Sequence, residues 1–533
     1  MRLKLTMPRE PKHTDTVTAV GWMTSDELIS CSDDHQILKW NLVSIEASPF
    51  STLPETLFPT DIHWFPRGLA GGAKKGGGSD SFVLTSTDGR FYLISKSGRV
   101  EKAVEAHKGA VLSARWSYDG SSLLTVGEDG AVKIWSRSGM LRSTLAQNGG
   151  SVYGGCWSPD NGRVLFCCGK QLTIKSLQAN AKPTQWKAHD GVVLSVDWSA
   201  TSNNIVSGGE DCKYKIFDDT FNILNRKFPF SVWDGFGRPL FASTAHEFPI
   251  TAVSWSSEGD LFAVGSFNTL RLCDKAGWSH SLEKPRTGSI FNIRWSPDGT
   301  QLAGACGNGQ VVFANIIEQR VEWRHLEAVQ TKRKTVEVRD VTSEARDKLE
   351  LKDRVTKLAL GWGYLVVTTA TQCYVFNSNS WNTPVITDLK EGSVSLIIMA
   401  AKCFLVVDGT TVSIQTYDGR PQCHLKIPGQ RSDLLSERTV GLSNDTAVIR
   451  DKNDEKMIHL FDAVTGKPIG DGKVMHTQEI LEIAIDQCGS SQERKVALID
   501  KNNDCFLSSV KTYGSGRRIL KIGTLLLSLI IEL

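Results

Sequence analysis

A histidine, a hydroxyl residue and an aspartate recur together three times in the first half of the chain. These are the side-chain types of a catalytic triad, in which histidine activates a hydroxyl and aspartate orients the histidine. The sets are His13, Ser30 and Asp34, then His107, Thr125 and Asp129, and finally His189, Ser207 and Asp211. An enzyme needs a catalytic triad at one site only, whereas these residues recur three times at matching spacings. We therefore expect them to stabilise a repeated structure rather than to catalyse a reaction.

A series of tryptophans defines the repeat to which these sets belong. It consists of Trp22, Trp64, Trp116, Trp157, Trp198, Trp255 and Trp295, and four of the six separations are 40 to 42 residues. Alternating apolar residues precede these tryptophans and turn residues follow several of them, as in residues 290–295 and 296–299. A strand–turn–strand unit at this period is typical of a four-stranded propeller blade. The sequence therefore predicts an all-β fold that begins with a seven-bladed propeller.

An indole completes the pattern in two blades, because Trp40 and Trp135 follow the aspartate by six residues. Histidine, hydroxyl, aspartate and indole N–H can satisfy one another's hydrogen bonds inside a blade. Spacing, turns and residue types together resemble the WD-repeat family, whose blades contain such a hydrogen-bonded tetrad. His246 stands at the histidine position of a further blade, whereas Asn148 replaces the histidine in another. The second and seventh blades lack it.

Two tryptophan separations exceed the period, and each excess is assigned to a segment. Residues 68–78 are rich in glycine and predict a flexible surface loop. Residues 217–232 are interpreted as an insertion at a blade edge, or alternatively as a retained non-coding segment of the gene model. Residues 2–7 alternate in polarity and are predicted to pair as the outer strand of the last blade, which would close the ring.

Strand-like alternation resumes after the tryptophans become sparse near Trp323. It is found in residues 365–369, 404–408, 446–449 and 496–500. We expect a first propeller over residues 1–325 and a degenerate second propeller of about four blades over residues 326–533. Ile522 is expected to begin a further inner strand before an apolar end. The second propeller is therefore predicted to be incomplete, an open arc in a truncated or mis-spliced product.

Composition argues against several classes of function. Lys plus Arg number 61 and Asp plus Glu 58, a balance that does not suit a dedicated nucleic-acid binder. No apolar run is long enough to span a bilayer, and no secretory signal is recognised, so the twelve cysteines are expected to be reduced cytosolic thiols. No metal-ligand spacing or phosphate-binding glycine loop occurs. We expect no enzymatic activity, cofactor or metal.

Several stretches resemble a more specific family. They are residues 32–41, 187–191, 209–215, 283–290 and 465–473, and the similarity extends from Met1 to about Gly523. These segments are similar to the WD-repeat subunits of the intraflagellar transport train, in its complex B. The resemblance implies a non-enzymatic scaffold or adaptor that is required for cilium assembly and contacts other complex B subunits. It also implies localisation to the cilium or flagellum, the basal body and the cytoplasm.

The family has two propellers followed by a helical tail, so the resemblance implies that the tail is missing here, together with any oligomer contacts it makes. The alternative hypothesis is a vesicle-coat-like scaffold in membrane trafficking, because tandem propellers with a helical tail also build coats. Copurification with train subunits and tubulin, or instead with coat subunits, would separate the two.

Overall fold

A computed structural model describes most of the chain, in two compact units that comprise Met1–Ile316 and Ile317–Leu533. The described residues are 1–66, 81–178, 181–201, 203–218, 241–426, 435–451, 454–488, 494–502, 504–510 and 520–524. The division precedes the predicted boundary at residue 325, because Arg320–Trp323 pairs with Leu326–Lys332 in a sheet of the second unit. No helix of the described residues is long and apolar enough to cross a membrane.

The first unit is built from short β-strands. They are β1 (Arg2–Thr6), β2 (Val17–Trp22), β3 (Glu27–Ser32), β4 (Gln36–Asn41), β5 (Glu46–Thr52), β6 (Pro59–Trp64), β7 (Ser81–Ser86), β8 (Arg90–Ser95), β9 (Val100–Glu105), β10 (Val111–Trp116), β11 (Ser122–Gly127), β12 (Ala131–Ser136), β13 (Leu141–Gln147), β14 (Val152–Trp157), β15 (Arg163–Cys168), β16 (Gln171–Ser176), β17 (Thr184–Lys187), β18 (Val193–Trp198), β19 (Asn204–Gly209), β20 (Tyr214–Asp218), β21 (Phe241–Ala242), β22 (Ala252–Trp255), β23 (Leu261–Ser266), β24 (Thr269–Asp274), β25 (Ser279–Glu283), β26 (Ile290–Trp295), β27 (Gln301–Cys306) and β28 (Val311–Ile317).

These strands form seven four-stranded sheets, numbered here as blades 1 to 7. Blades 1 to 6 take their strands in chain order from β2–β5, β6–β9, β10–β13, β14–β17, β18–β21 and β22–β25. Blade 7 has the order β1-β28-β27-β26, so the first strand of the chain completes the last sheet. Leu3 of β1 is buried in the same apolar cluster as Trp295 and Val312, which anchors this strand. The predicted seven blades and the closing N-terminal strand are confirmed.

Each sheet buries apolar side chains on both faces. In blade 3, Leu123 and Trp135 pack with Phe91 of blade 2, whereas Leu124 packs with Phe166 of blade 4. Burial on both faces explains why the second strand of a blade is a nearly continuous apolar run instead of an alternating one. The apolar cores therefore lie between neighbouring blades, and the inner strands are held around a common centre.

The second unit is also a series of β-strands. They are β29 (Arg320–Trp323), β30 (Leu326–Lys332), β31 (Thr335–Asp340), β32 (Arg346–Glu350), β33 (Val355–Gly361), β34 (Tyr364–Thr369), β35 (Gln372–Asn377), β36 (Ser380–Asp388), β37 (Val394–Met399), β38 (Cys403–Asp408), β39 (Thr411–Thr416), β40 (Pro421–Leu425), β41 (Val440–Leu442), β42 (Thr446–Arg450), β43 (Met457–Asp462), β44 (Pro468–Met475), β45 (Ile480–Ile485), β46 (Lys495–Asp500), β47 (Asp504–Ser509) and β48 (Leu520–Thr524).

Consecutive groups of four strands form five sheets within the described part of this unit, one more than predicted. The additional sheet, β29–β32, precedes the first of the alternating runs from which the second propeller was predicted. Its outer strand β32 is largely exposed, so charged side chains are compatible with pairing there. The expectation for Ile522 was wrong. It belongs to β48, which pairs with β47 as the fourth strand of the fifth sheet and does not begin a sixth.

The described residues include none of the first predicted insertion and only the first two residues of the second. Residues 68–78 lie outside them, as do residues 219–240 and the apolar end at 525–533. Phe217, taken as the start of the second insertion, is instead a buried residue of β20. Its ring packs edge to face against Trp186, with the centroids 5.6 Å apart.

Candidate functional site

Blade 1 contains a closed chain of hydrogen bonds between buried polar groups. His13 Nδ1 lies 2.9 Å from Asp34 Oδ2, and His13 Nε2 lies 2.7 Å from Ser30 Oγ. The Trp40 indole N–H donates to the same Ser30 oxygen over 2.8 Å. The loop before β2, strand β3, the turn after β3 and strand β4 supply these four side chains. Ser30 is fully buried and committed to two partners, so it is not available as a nucleophile.

Blade 3 repeats this geometry with a threonine. His107 Nδ1 lies 2.8 Å from Asp129 Oδ1, and His107 Nε2 lies 2.9 Å from Thr125 Oγ1. The Trp135 indole donates to Thr125 Oγ1 over 2.8 Å. All four residues are held by the pairing of β11 with β12 and by the loop before β10.

Blade 5 has three of the four groups. His189 Nδ1 lies 2.8 Å from Asp211 Oδ1, and His189 Nε2 lies 2.7 Å from Ser207 Oγ. Phe217 stands where blades 1 and 3 have an indole, and it offers no donor to Ser207. The structure thus brings together every residue of the three sets, in one blade each.

The aspartates also bind backbone amides, which fixes their charge state. Burial alone would raise the pKa of Asp129, but His107 and the amides of Ala131 and Lys108 lower it below the usual value. Burial lowers the pKa of His107, against the opposing hydrogen bond to Asp129. Since the same directions hold in blades 1 and 5, the arrangement favours a neutral histidine beside an ionised aspartate.

Two other residues highlighted by the spacing have different surroundings. The His246 ring packs on Tyr214, with the centroids 5.5 Å apart, and within the described part of the chain no hydrogen bond or ion pair joins it to an aspartate. Val264 and Asn268 stand where this blade would need its hydroxyl and its aspartate. Asn148, in the loop before β14, takes the histidine position of blade 4. Its side-chain amide donates to Gly130 O over 2.9 Å and so holds this loop against the turn between β11 and β12.

The centre of the first unit contains a charged network that sequence reasoning missed. Asp61 on β6 is buried and pairs with Arg115 of β10 and with Arg294 of β26, the latter at 3.3 Å. Ser113 Oγ donates to Asp61 over 2.8 Å, and the Asn292 amide approaches within 3.4 Å. The network therefore joins three inner strands that are far apart in the chain.

This network sets the charge of its members. Burial favours the neutral form of Asp61, but the two guanidinium groups lower its pKa below the usual value. Burial lowers the pKa of Arg294 to about 10, so it stays cationic at neutral pH. His63 accepts from the Trp116 amide over 3.1 Å, and burial next to the guanidinium groups lowers its pKa well below the usual value. His63 is consequently a neutral acceptor.

A cavity of about 420 Å³ opens above the network. The residues four positions before the repeat tryptophans all line it, and we call these seven the channel mouth: Thr18, Thr60, Leu112, Tyr153, Leu194, Thr251 and Phe291. Thr60 and Thr251 donate to the carbonyls of Val111 and Ile290, so their hydroxyls bind the scaffold. Thr18 donates to the Cys31 carbonyl over 3.4 Å, and the other four mouth side chains are apolar or aromatic. This combination suits binding of another molecule better than bond-breaking chemistry.

The described residues contain no group of three or more His, Cys, Asp or Glu side chains placed to hold a metal ion. All twelve cysteines are free thiols. Burial raises the pKa of Cys31 and Cys167 to about 12, which makes both poor nucleophiles.

Comparison with known proteins agrees with this architecture. The model of the WD domain, G-beta repeat, matches residues 7–41, 98–136, 181–218 and 237–272, which are repeats of the first unit. The class of protein defined by the fold is thus the WD-repeat propeller. The fission yeast actin-related protein 2/3 complex subunit 1 shares 29% identity with 22% of the chain, over 30% of its own length.

The second unit and the full alignment are more specific. The model described as IFT80 second beta-propeller matches residues 318–531. The intraflagellar transport protein 80 homologues of mouse and rat are each 57% identical over 526 residues, which is 98% of this chain and 65% of the relative. Over 98% of its length the chain is thus similar to intraflagellar transport protein 80, and it spans 65% of the length of these relatives.

Proposed function

We propose that the chain is a non-enzymatic scaffold subunit of intraflagellar transport complex B that contributes to cilium assembly. The observation that supports this most strongly is 57% identity extending over 98% of the chain, so that both units share the similarity. Similarity confined to one blade would indicate only a shared fold, whereas here both units are similar to the relatives. The partners proposed are other complex B subunits, and the locations are the cilium, the basal body and the cytoplasm.

The hydrogen-bonding pattern supports a structural role for the three histidine–hydroxyl–aspartate sets. Each histidine–hydroxyl–aspartate set is closed on itself within a blade, and blade 1 and blade 3 have equivalent geometry. A catalytic hydroxyl must reach a substrate, whereas Ser30, Thr125 and Ser207 are completely buried. We propose that the three sets act by stabilising their blades.

Affinity purification from ciliated cells tests the assignment. The tagged whole chain should copurify train subunits and tubulin, identified by mass spectrometry, while an unrelated tagged seven-bladed propeller should not. Recovery of vesicle-coat subunits without train subunits would favour the trafficking alternative and would contradict the proposal. Because the chain spans 65% of the length of the mouse relative, that relative should be purified in parallel, and a partner found with both is expected to contact the shared part.

A further inference from the structure

One carboxylate at the channel mouth lacks the backbone partner that its equivalents have. Glu128 of blade 3 accepts from the Ala110 amide over 3.3 Å, and Glu210 of blade 5 accepts from the Val192 amide over 3.2 Å. Asp33 holds the same position in blade 1, immediately before the aspartate of the tetrad.

The equivalent amide in blade 1 is already occupied. Thr16 N donates to Asp15 Oδ1 over 2.7 Å, and the Asp33 side chain is one methylene shorter than glutamate. Among the described residues, no hydrogen bond or ion pair reaches the Asp33 carboxylate. Asp33 instead lines the cavity beside Thr16 and Phe291. Burial, and after it the charge of Asp15, raises the pKa of Asp33, against a smaller opposing effect of His35.

Aromatic side chains line the same cavity as this carboxylate. Phe291 is 47% exposed and Tyr153 is 43% exposed, both at the channel mouth. The backbone of Phe267 forms an isolated antiparallel β-bridge with Ser289, which lies two residues before Phe291. The centroid of the Phe267 ring lies 4.9 Å from that of Phe248. Phe248 and Phe267 are also exposed. Exposed phenyl groups therefore extend from blade 6 towards the mouth, a surface whose burial by a partner would be favourable.

We propose that Asp33, Phe267, Phe291 and Tyr153 form a docking surface for an extended peptide segment of a partner protein, with a lysine or arginine side chain at Asp33 and apolar side chains on the aromatic rings. Charge complementarity selects this occupant, because Asp15 and Asp33 add negative charge at the mouth. Among the described residues that line the cavity, Arg115 is the one cationic side chain, and Asp61 neutralises it. The site is independent of the assembly to which the chain belongs, so it goes beyond the function proposed above.

Selection from displayed peptides tests the surface with the whole chain as bait. Random peptides of about a dozen residues should enrich for a lysine or arginine flanked by apolar or aromatic residues. A synthetic peptide of the enriched sequence is then measured by fluorescence anisotropy. Asp33→Asn should weaken its binding about threefold to tenfold, and more at low salt than at high salt. Phe291→Ala should weaken it about tenfold or more, as for an aromatic hot spot.

Glu210→Gln is the matched control, because Glu210 has the same hairpin position but is bound to its own backbone. It should change affinity by less than about twofold. Melting curves of the variants should be unchanged, since Asp33 has no partner to lose and Phe291 is exposed.

Absence of any enriched peptide, enrichment of acidic peptides, or binding that tolerates both Asp33→Asn and Phe291→Ala would each overturn the proposal. Sedimentation that reveals a dimer dissolved by Phe291→Ala would place a second copy of the chain on this surface and would also refute it. Copurification of train subunits is a separate result, so failure of this site and failure of the assigned function are distinguishable.

Discussion

Substitution of Asp61 by asparagine should strongly destabilise the first unit. The carboxylate is buried, pairs with Arg115 and Arg294, and accepts from Ser113 Oγ. Asparagine has nearly the same volume, so the change removes charge without opening a cavity. Two guanidinium groups whose side chains are only 19% and 20% exposed then lose the carboxylate with which they pair. Breaking a buried ion pair by removing one partner costs about 3–5 kcal/mol.

Urea unfolding of the whole chain measures this loss, with hydrogen exchange of peptides from the first unit separating its transition from that of the second. With an m-value of about 3 kcal/mol/M, the midpoint should fall by about 1 M. Asp190→Asn is the control, because its ion pair with Lys187 is exposed and should contribute nothing measurable. Equal midpoints for Asp61→Asn and Asp190→Asn would refute the reasoning.

A double-mutant cycle with Arg294→Gln tests whether the loss arises from charge. Removing Arg294 as well as Asp61 lessens the cationic excess, so the double variant should be more stable than the sum of the two single losses, by about 1 kcal/mol or more. Strictly additive losses would show that Asp61 does not act through Arg294. The guanidinium groups lower the pKa of folded Asp61. Its contribution is therefore complete above the unfolded pKa of about 4 and is lost as pH falls through the lower folded pKa.

Three further predictions concern the first unit. Deleting residues 1–10 removes β1 and the buried Leu3, so calorimetry should show its melting temperature falling by about 5 °C or more, and an unchanged melt would contradict closure by β1. Asp129→Ala deprives His107 and the Lys108 amide of an acceptor and should cost about 1–3 kcal/mol, clearly more than Asp160→Ala in an exposed turn; equal urea midpoints would oppose this. Because burial lowers the pKa of folded His107, stability should be complete above the unfolded value of about 6.5 and should decline as pH falls through and below it; His107→Asn should flatten this decline, and an identical pH profile would count against it.

The tetrads were predictable because their members lie close in the chain and recur at fixed intervals. Asp34 and Asp129 lie in hairpin turns whose length the hairpin geometry determines, so spacing alone locates them. The same spacing puts His246 at the histidine position of blade 6, but the sequence of that blade lacks the partners of a tetrad. Val264 stands at the hydroxyl position of that blade and cannot complete the hydrogen-bonded chain.

The central network could not be found in this way. Asp61 and Arg294 are separated by 233 residues and meet only because seven blades close into a ring. The one local signal is a charged residue immediately before the repeat tryptophan, as at Arg115 and Arg294, in strands that otherwise alternate. The sheet β29–β32 escaped recognition for a different reason. Its charged outer strand lacks the apolar run that identifies a strand buried on both faces.

In the first unit, the polar residues that stabilise the fold differ from those available to bind a partner. Buried polar groups such as Ser30, Thr125 and Asp61 are satisfied by other side chains of the scaffold, and changing one of them costs folding energy. Asp33 differs because the amide that would bind it is already taken by Asp15. A carboxylate that the fold does not use, next to exposed aromatic rings, can be substituted without unfolding the blade. Substitution of Asp33 should therefore weaken peptide binding and leave stability unchanged, whereas substitution of Asp61 should lower stability. These two results together would distinguish the recognition surface from the scaffold that supports it.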